Sequence, residues 1–261
     1  MKKIISKLVR KFGYEISQIE PKNFQKIELF EDRYEISFNK IRIESSSYFI
    51  PKYAMHRPAV KDICKGKLFE PKTHELVQAL CKQKPGSIVH AGTFFGDMLP
   101  NFSKFVNGSV YAFEPVLENF ILAKLSVDVN ELFNVILINS ALSANISNLR
   151  INTSQQDNLH AGGASSISEH GKICAALKID CLNASDIILI QLDVEGHELE
   201  ALLGAIKTIE RCRPVIAIED NNNSCESFLL TNNYLMVRKI PGLEVWAPKE
   251  DSNVIKIIKS F

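Results

Sequence analysis

Short apolar segments alternate with helical patterns from residue 87 to residue 247, and this alternation limits the chain to few folds. The apolar segments that precede polar residues are 87–91, 109–113, 134–139, 187–192 and 214–218. Between them, apolar residues recur at helical spacing, as in 199–209. Strands that alternate with helices predict an α/β fold with a mostly parallel sheet covered on both faces. Two further segments, 234–240 and 243–247, flank Pro241-Gly242 and predict a closing hairpin.

The pattern divides the chain into three parts. Residues 70–249 form the predicted main domain, which contains an insertion at about 140–185 where the alternation is less regular. Residues 1–69 are predicted to be a helical and irregular extension, and residues 250–261 a C-terminal tail. A length of 261 residues suits one α/β domain with such additions.

Composition argues against several functional classes. The 31 Lys and Arg residues balance 30 Asp and Glu residues, so a protein that mainly coats nucleic acid is not expected. No apolar run reaches the roughly 18 residues of a membrane span. The six cysteines show no Cys-x-x-Cys spacing, which argues against zinc and dithiol sites and predicts reduced thiols in a cytoplasmic protein.

The first twelve residues carry five basic side chains and no acid, and their apolar residues recur at helical spacing. A basic amphipathic helix of this kind is typical of peripheral membrane contact. The same apolar stripe can instead pack on its own domain or on a second copy of the chain, as in a homodimer. The sequence leaves these interpretations open.

Ligands of parallel sheets bind beyond the carboxyl ends of the strands, and the unusual residues of this chain follow those ends. Gly92 and Gly96 bracket a turn that includes Thr93, where glycine lets the backbone approach a ligand. Glu114 ends the second strand, and a carboxylate there can accept both hydroxyls of a ribose. The turn and the acid together predict a nucleoside site, for either NAD or S-adenosylmethionine.

Three candidate catalytic residues follow the fourth strand. Asp193 ends that strand, Glu195 comes next, and His197 falls in the first helical turn, where it can act as a general base near neutral pH. The two acids can equally cap the helix and complement its dipole. Glu219 and Asp220 at the neighbouring strand end can join Asp193 in holding Mg²⁺, but we expect a solvated acidic edge there and no metal site.

These motifs together resemble the FkbM-type family of S-adenosylmethionine-dependent methyltransferases. The matching segments are 92–96, 113–115, 139–142, 162–166, 189–198 and 213–219. The resemblance covers roughly residues 70–220, and the Phe-Glu-Pro and Asp-Val-Glu-Gly pieces, in this order, carry most of its specificity. It implies a Rossmann-like class I methyltransferase fold, with a seven-stranded sheet and an antiparallel hairpin at its edge.

The resemblance also implies an activity. Family members mostly O-methylate hydroxyls of saccharides, glycolipids and other natural products, so we expect S-adenosylmethionine as the methyl donor and a small-molecule or glycan acceptor. The implied roles are methionine contact by Gly92 and Gly96, ribose binding by Glu114, adenine contact by Asn139, Ser140 and Ala141, and a place at the methyl-transfer centre for Asp193.

The chain departs from the family pattern at His90, where members of the family usually have an acid that positions the amino group of the cofactor. A neutral His90 can accept a hydrogen bond, whereas a protonated one would repel the ammonium and sulfonium charges. Two alternatives therefore stay open. One is a nucleoside-binding or scaffold protein with impaired catalysis, and the other is a nicotinamide-dependent oxidoreductase, against which the incomplete glycine fingerprint argues.

Overall fold

The computed structural model describes residues 14–18, 25–29, 34–154 and 160–261. The strands are β1 (Tyr14–Gln18), β2 (Gln25–Leu29), β3 (Tyr34–Ile43), β4 (Ser46–Pro51), β5 (Ser87–Ala91), β6 (Val110–Phe113), β7 (Val135–Ile138), β8 (Ala141–Leu142), β9 (Ser147–Asn152), β10 (Ser166–Ile167), β11 (Lys172–Leu177), β12 (Ile187–Leu192), β13 (Val215–Ile218), β14 (Tyr234–Ile240) and β15 (Leu243–Pro248). The helices are α1 (Pro58–Cys64), α2 (Pro71–Gln83), α3 (Leu99–Phe105), α4 (Leu117–Val129), α5 (Glu198–Leu203), α6 (Ile206–Cys212), α7 (Glu226–Thr231) and α8 (Ser252–Ser260). The basic helix expected over residues 1–12 lies outside the described residues.

A seven-stranded sheet with the order β14-β15-β13-β12-β5-β6-β7 forms the centre of the fold. Strands β7, β6, β5, β12 and β13 run parallel, and β15 is antiparallel to both of its neighbours. The expected α/β fold, with a mostly parallel Rossmann-like sheet and an antiparallel edge hairpin, is therefore confirmed. The chain runs outward from β5 to β7 and then returns to β12, so β5 and β12 flank the switch point where such sheets bind ligands.

Helices cover both faces of this sheet. Leu76 of α2, Phe102 of α3 and Ile258 of α8 pack on one face, and Leu202 of α5 and Ile209 of α6 pack on the other. All five side chains are fully buried, and burial of such a side chain stabilises the fold by about 1.5–3 kcal/mol. The stretch 250–261, which we expected to be a tail, thus contributes a packed helix.

The helix expected over residues 199–209 is divided at Gly204 into α5 and α6. A Cβ atom on Gly204 would lie 2.2 Å from the carbonyl oxygen of Ser143, so only glycine allows this approach to the insertion. The Gly204 carbonyl accepts a hydrogen bond from the Asp180 backbone N–H at 3.0 Å, and Asp180 Oδ1 accepts one from the Thr208 N–H at 2.8 Å. The contact with the insertion therefore sets where α6 begins.

The insertion forms a small sheet of order β10-β9-β11-β8. Strands β9 and β11 are the longest in this sheet, with six residues each, and they pair antiparallel. Gly162, which precedes β10, lies near the switch point. Its carbonyl oxygen accepts a hydrogen bond from Asn119 Nδ2 at 3.2 Å. The insertion consequently covers the ends of the central strands.

The N-terminal part differs from the helical and irregular extension that we expected. Strands β1 to β4 form an antiparallel sheet. Alternate side chains of a strand point to the same face, and Ile36 and Phe38 of β3 lie on the buried one. Phe49 of β4 joins the same apolar cluster as Leu122 of α4, so this sheet packs beside the main domain. Within the described residues, no helix combines the length and apolar character needed to cross a membrane.

Candidate active site

Two adjoining cavities open at the carboxyl ends of β5 and β12. The first cavity has a volume of about 470 Å³, and Glu114 and Ser140 are among its lining residues. The second cavity has a volume of about 700 Å³ and is lined by His90 and several carboxylates. Gly92 and Asp193 line both cavities and therefore mark their junction.

The turn after β5 depends on two glycines with left-handed backbone conformations. Gly92 has φ = +89°, and a Cβ atom there would lie 2.0 Å from the Asp193 carbonyl oxygen. Gly96 has φ = +82°, and its N–H donates to the Thr93 carbonyl oxygen at 2.9 Å. Thr93 and Gly96 shape this turn but are not among the residues that line the two cavities. Gly92 lets the ends of β5 and β12 approach each other closely, whereas Gly96 lets the turn pack against Ala123 of α4.

Glu114 is buried at the end of β6, and backbone groups hold its carboxylate. Oε2 accepts a hydrogen bond from the Phe94 N–H at 2.7 Å. Oε1 accepts from the Val116 N–H at 2.9 Å and from Asn119 Nδ2 at 3.2 Å. Burial raises the pKa of Glu114 to about 7, although these hydrogen bonds oppose the shift. Since each carboxylate oxygen can accept two bonds, Oε2 retains the capacity for one more.

The three candidates after β7 take different positions. Ser140 and Ala141 line the first cavity. The Ser140 hydroxyl donates to the Ala141 carbonyl oxygen at 2.7 Å. Asn139 is not a lining residue, and its Nδ2 donates to the Glu114 carbonyl oxygen at 2.8 Å. Asn139 therefore fixes the loop that carries the other two residues.

His90 is 2% exposed at the end of β5, and its Nδ1 is hydrogen-bonded to Gln191 Oε1 on β12. The ring also meets the Phe102 ring edge-on, with 5.1 Å between centroids. Burial lowers the pKa of His90 to about 4, although the Gln191 hydrogen bond opposes the shift. His90 is consequently neutral near pH 7, and a ring that donates from Nδ1 has an acceptor at Nε2.

Carboxylates of Asp193, Glu195 and Glu219 cluster at the second cavity, with one oxygen from each within 4.8 Å of the others. Burial raises the pKa of Asp193 well above its ordinary value, and a hydrogen bond with Glu219 adds to the shift. Burial also raises the pKa of Glu195, whose Oε1 lies 4.0 Å from Arg57 Nη2. Asp193 therefore holds a proton more tightly than an exposed aspartate does.

Asp220 does not join this cluster, contrary to the grouping considered from the sequence. Its Oδ1 accepts a hydrogen bond from the Ser224 N–H at 2.9 Å, and its Oδ2 accepts one from the Cys225 N–H at 2.7 Å. Burial would raise the pKa of Asp220, but these hydrogen bonds lower it overall. Asp220 therefore orders the loop before α7.

His197 lines the first cavity, whereas Glu195 and Glu219 of the carboxylate cluster line the second. Its Nε2 lies 3.3 Å from the Ser143 hydroxyl oxygen. Burial lowers the pKa of His197, so the ring is a weaker base than an exposed histidine. The structure therefore separates His197 from Glu195, although only one residue lies between them in the chain.

Several residues that line the second cavity were not predicted from the sequence as site residues. Glu70, Asp97, Arg57 and Gln191 all line the second cavity. Glu70 and Arg57 come from the part before β5, where no motif was recognised. A polar residue within an otherwise apolar strand, as at Gln191, is a signal that the sequence does contain.

No curated protein matched the sequence. Among solved structures, a methyltransferase FkbM from Methylobacillus flagellatus KT matches with 18% identity and a TM-score of 0.45, over 62% of this chain and 43% of that one. The aligned part is thus less than half of that protein. A ribosomal protein L11 methylase from Lactobacillus delbrueckii subsp. bulgaricus matches with 14% identity and a TM-score of 0.41, over 69% and 79% of the two chains. M. jannaschii TYW2, solved in complex with AdoMet, matches with 13% identity and a TM-score of 0.40, over 84% and 87%.

The family assignment comes from the sequence model of the methyltransferase FkbM domain, which matches residues 90–238. This range begins at His90 in β5 and ends in β14, so it includes the switch point and both sides of the cavity junction. It spans more than half of the chain. The resemblance inferred from the motifs is confirmed, and the chain belongs to the FkbM methyltransferase family.

Proposed function

We propose that this protein transfers a methyl group from S-adenosylmethionine to a hydroxyl group of a saccharide, a glycolipid or another natural product. The observation that carries the proposal is the junction of the two cavities at Gly92 and Asp193. One cavity suits a nucleoside and the other suits an acceptor, and they meet beside a carboxylate. A methyl transfer needs this arrangement, because the reaction depends mainly on orientation and on removal of a proton.

The first cavity supports nucleoside binding. Glu114 Oε2, which takes one hydrogen bond from the Phe94 N–H, has capacity for a ribose hydroxyl. Ser140 and Ala141, which we expect to contact adenine, line the same cavity, and its wall is mainly apolar, with Ile151 from β9. Gly92 at the junction would border the methionine part. The residues present therefore fit the cofactor.

Asp193 is the general base in this proposal. When bound, S-adenosylmethionine supplies an electrophilic methyl group on a sulfonium centre. In the transfer, a carboxylate oxygen of Asp193 would take the hydroxyl proton of the acceptor. The raised pKa of Asp193, caused by burial and by Glu219, makes it a stronger base than an exposed carboxylate. Glu195 lines the second cavity only, and His197 the first only, so they are placed less well.

The reaction in this form uses no metal, and the carboxylate cluster serves proton transfer. The second cavity, bordered by Arg57 and Phe69 from outside the family match, would admit the acceptor. We further propose that the protein works in the cytoplasm, where its thiols stay reduced.

Calorimetric titration with S-adenosylmethionine and, separately, with NAD tests the proposal. We expect binding of S-adenosylmethionine with one site per chain and no binding of NAD. Binding of NAD alone would instead support an oxidoreductase, and binding of neither nucleotide would overturn the proposal.

A further inference from the structure

The second cavity holds an excess of acids. Five carboxylate residues line it, namely Glu70, Asp97, Asp193, Glu195 and Glu219. The cation among the lining residues is Arg57, which lies 4.0 Å from Glu195 and is partly exposed. Buried carboxylates are stable when they are protonated or paired with a cation. The cavity is therefore suited to a positively charged ligand group.

Four of the five acids have partners within the described residues. Asp193 and Glu219 are hydrogen-bonded to each other, and Glu195 faces Arg57. Glu70 Oε2 accepts a hydrogen bond from the Thr73 hydroxyl at 3.0 Å. Asp97 is therefore the acid of the second cavity whose carboxylate has no hydrogen bond or ion pair with another of the described residues.

Asp97 is 6% exposed, immediately after the glycine turn. The hydrogen bond that reaches its carboxylate comes from its own backbone N–H, and no ion pair to Asp97 occurs among the described residues. Burial raises the pKa of Asp97 to about 7, and the nearby charge of Glu70 adds to this shift. A buried carboxylate without a cationic partner is costly to ionise, and a cation in the cavity would offset that cost.

His90 cannot supply the negative charge that would neutralise a cationic ligand group. Its ring is buried and neutral, and Nδ1 is engaged by Gln191. His90 does line the second cavity, so Nε2 offers an uncharged acceptor there. An anionic group for a cationic ligand must therefore come from another residue of the same cavity.

We infer that Asp97 binds the ammonium group at the methionine end of S-adenosylmethionine. The inference rests on the proposed function, because it places the adenosine in the first cavity. A ligand that passes Gly92 from the first cavity enters the second, where Asp97 lies. The amino acid end of S-adenosylmethionine carries the ammonium group that the unmatched carboxylate requires. Asp97 is then a cofactor-binding residue that takes over the acidic role absent at His90.

Two ligands that differ at this end provide the test. S-adenosylhomocysteine has the ammonium group, whereas methylthioadenosine keeps the adenosine and the thioether but lacks the amino acid. We expect Asp97→Asn to weaken S-adenosylhomocysteine binding by about 10- to 150-fold in calorimetry, the range for a charged hydrogen bond. Binding of methylthioadenosine by the same variant should change by less than about twofold.

Matched controls keep the result interpretable. Asp128→Asn makes the same chemical change at a partly exposed ion pair with Lys124, away from both cavities, and should leave both affinities unchanged. Asp97→Ser serves as a second variant if Asp97→Asn does not fold, and circular dichroism checks both. Measurements with and without EDTA separate an organic cation from a metal ion.

Three outcomes would overturn the inference. Equal affinity of the wild type and Asp97→Asn for S-adenosylhomocysteine would show that Asp97 does not contact the ammonium group, while the proposed function would stand. Equal weakening of both ligands would assign Asp97 a structural role. Loss of wild-type affinity in the presence of EDTA would show that Asp97 binds a metal ion and not the ammonium group. Failure of the wild type to bind either ligand would instead remove the proposed function, and the inference with it.

Discussion

His90 on β5 and Gln191 on β12 lie side by side in the parallel pairing of these strands, and their side chains share a hydrogen bond between Nδ1 and Oε1. The bond joins the two strands that flank the switch point. It orients a buried ring that remains neutral, because burial lowers the pKa of His90 to about 4. The pH sensitivity that an ordinary histidine would give to cofactor binding near pH 6.5 is therefore absent at this position.

His90→Asn should leave the pH profile of S-adenosylmethionine affinity unchanged between pH 5 and pH 8. The reason is that His90 does not titrate in this window, since its pKa lies near 4. Calorimetric affinities at pH 5, 6, 7 and 8 for the wild type and the variant provide the comparison. If the variant removed a loss of affinity centred near pH 6.5, His90 would be a titrating contact of the cofactor after all.

Glu114→Gln should weaken S-adenosylmethionine binding by about 1.5–3 kcal/mol, which is about 10- to 150-fold, because a charged hydrogen bond to the ribose becomes a neutral one. Glutamine keeps an acceptor oxygen for the donors at one of the two carboxylate positions only, so urea unfolding checks that the variant is folded before its affinity is compared. Glu210→Gln, on an exposed site of α6, is the matched control. Unchanged affinity in Glu114→Gln would show that Glu114 does not bind the ribose.

Asp97→Asn should gain stability relative to the wild type as the pH rises from about 4 to about 7. The folded-state pKa of Asp97 is raised to about 7, so folding favours the protonated form. This contribution is fully present below the unfolded pKa, near 3.8, and is lost as the pH rises through the folded value, at up to about 1.4 kcal/mol per pH unit. Urea unfolding of both proteins at several pH values measures the difference. A constant difference from pH 4 to pH 7 would contradict the raised pKa.

EDTA should not reduce the rate of methyl transfer. The oxygens of Asp193, Glu195 and Glu219 approach within 4.8 Å, a spacing that a divalent cation can bridge, yet the raised pKa of Asp193 favours its protonated form, which is a poor metal ligand. Initial rates are compared before and after chelation, and again after Mg²⁺ is added back. Complete loss of the rate with EDTA and recovery with Mg²⁺ would show that the three carboxylates form a metal site.

The sequence predicted the central strands well because their signal is local. β5 and β12 are short, mostly apolar segments between turn residues, and their bounds match the prediction at both ends. The break at Gly204 was missed because its cause, a close contact with Ser143, comes from a distant part of the chain. The acidic second cavity was missed for the same reason, since Glu70 and Asp97 are brought to it by the packing of separate elements.

Transfer of labelled methyl groups from S-adenosylmethionine to fractions of a cell extract tests the central claim most directly. The account predicts that the wild type labels a fraction containing a hydroxyl acceptor. At saturating cofactor, Asp193→Asn should label the same fraction about 10²- to 10⁴-fold more slowly, with unchanged cofactor affinity, because it lacks the general base. Asp128→Asn should match the wild type. Full activity of Asp193→Asn would remove Asp193 from the mechanism, and binding of the cofactor by the wild type without labelling of any fraction would contradict the claim of methyl transfer.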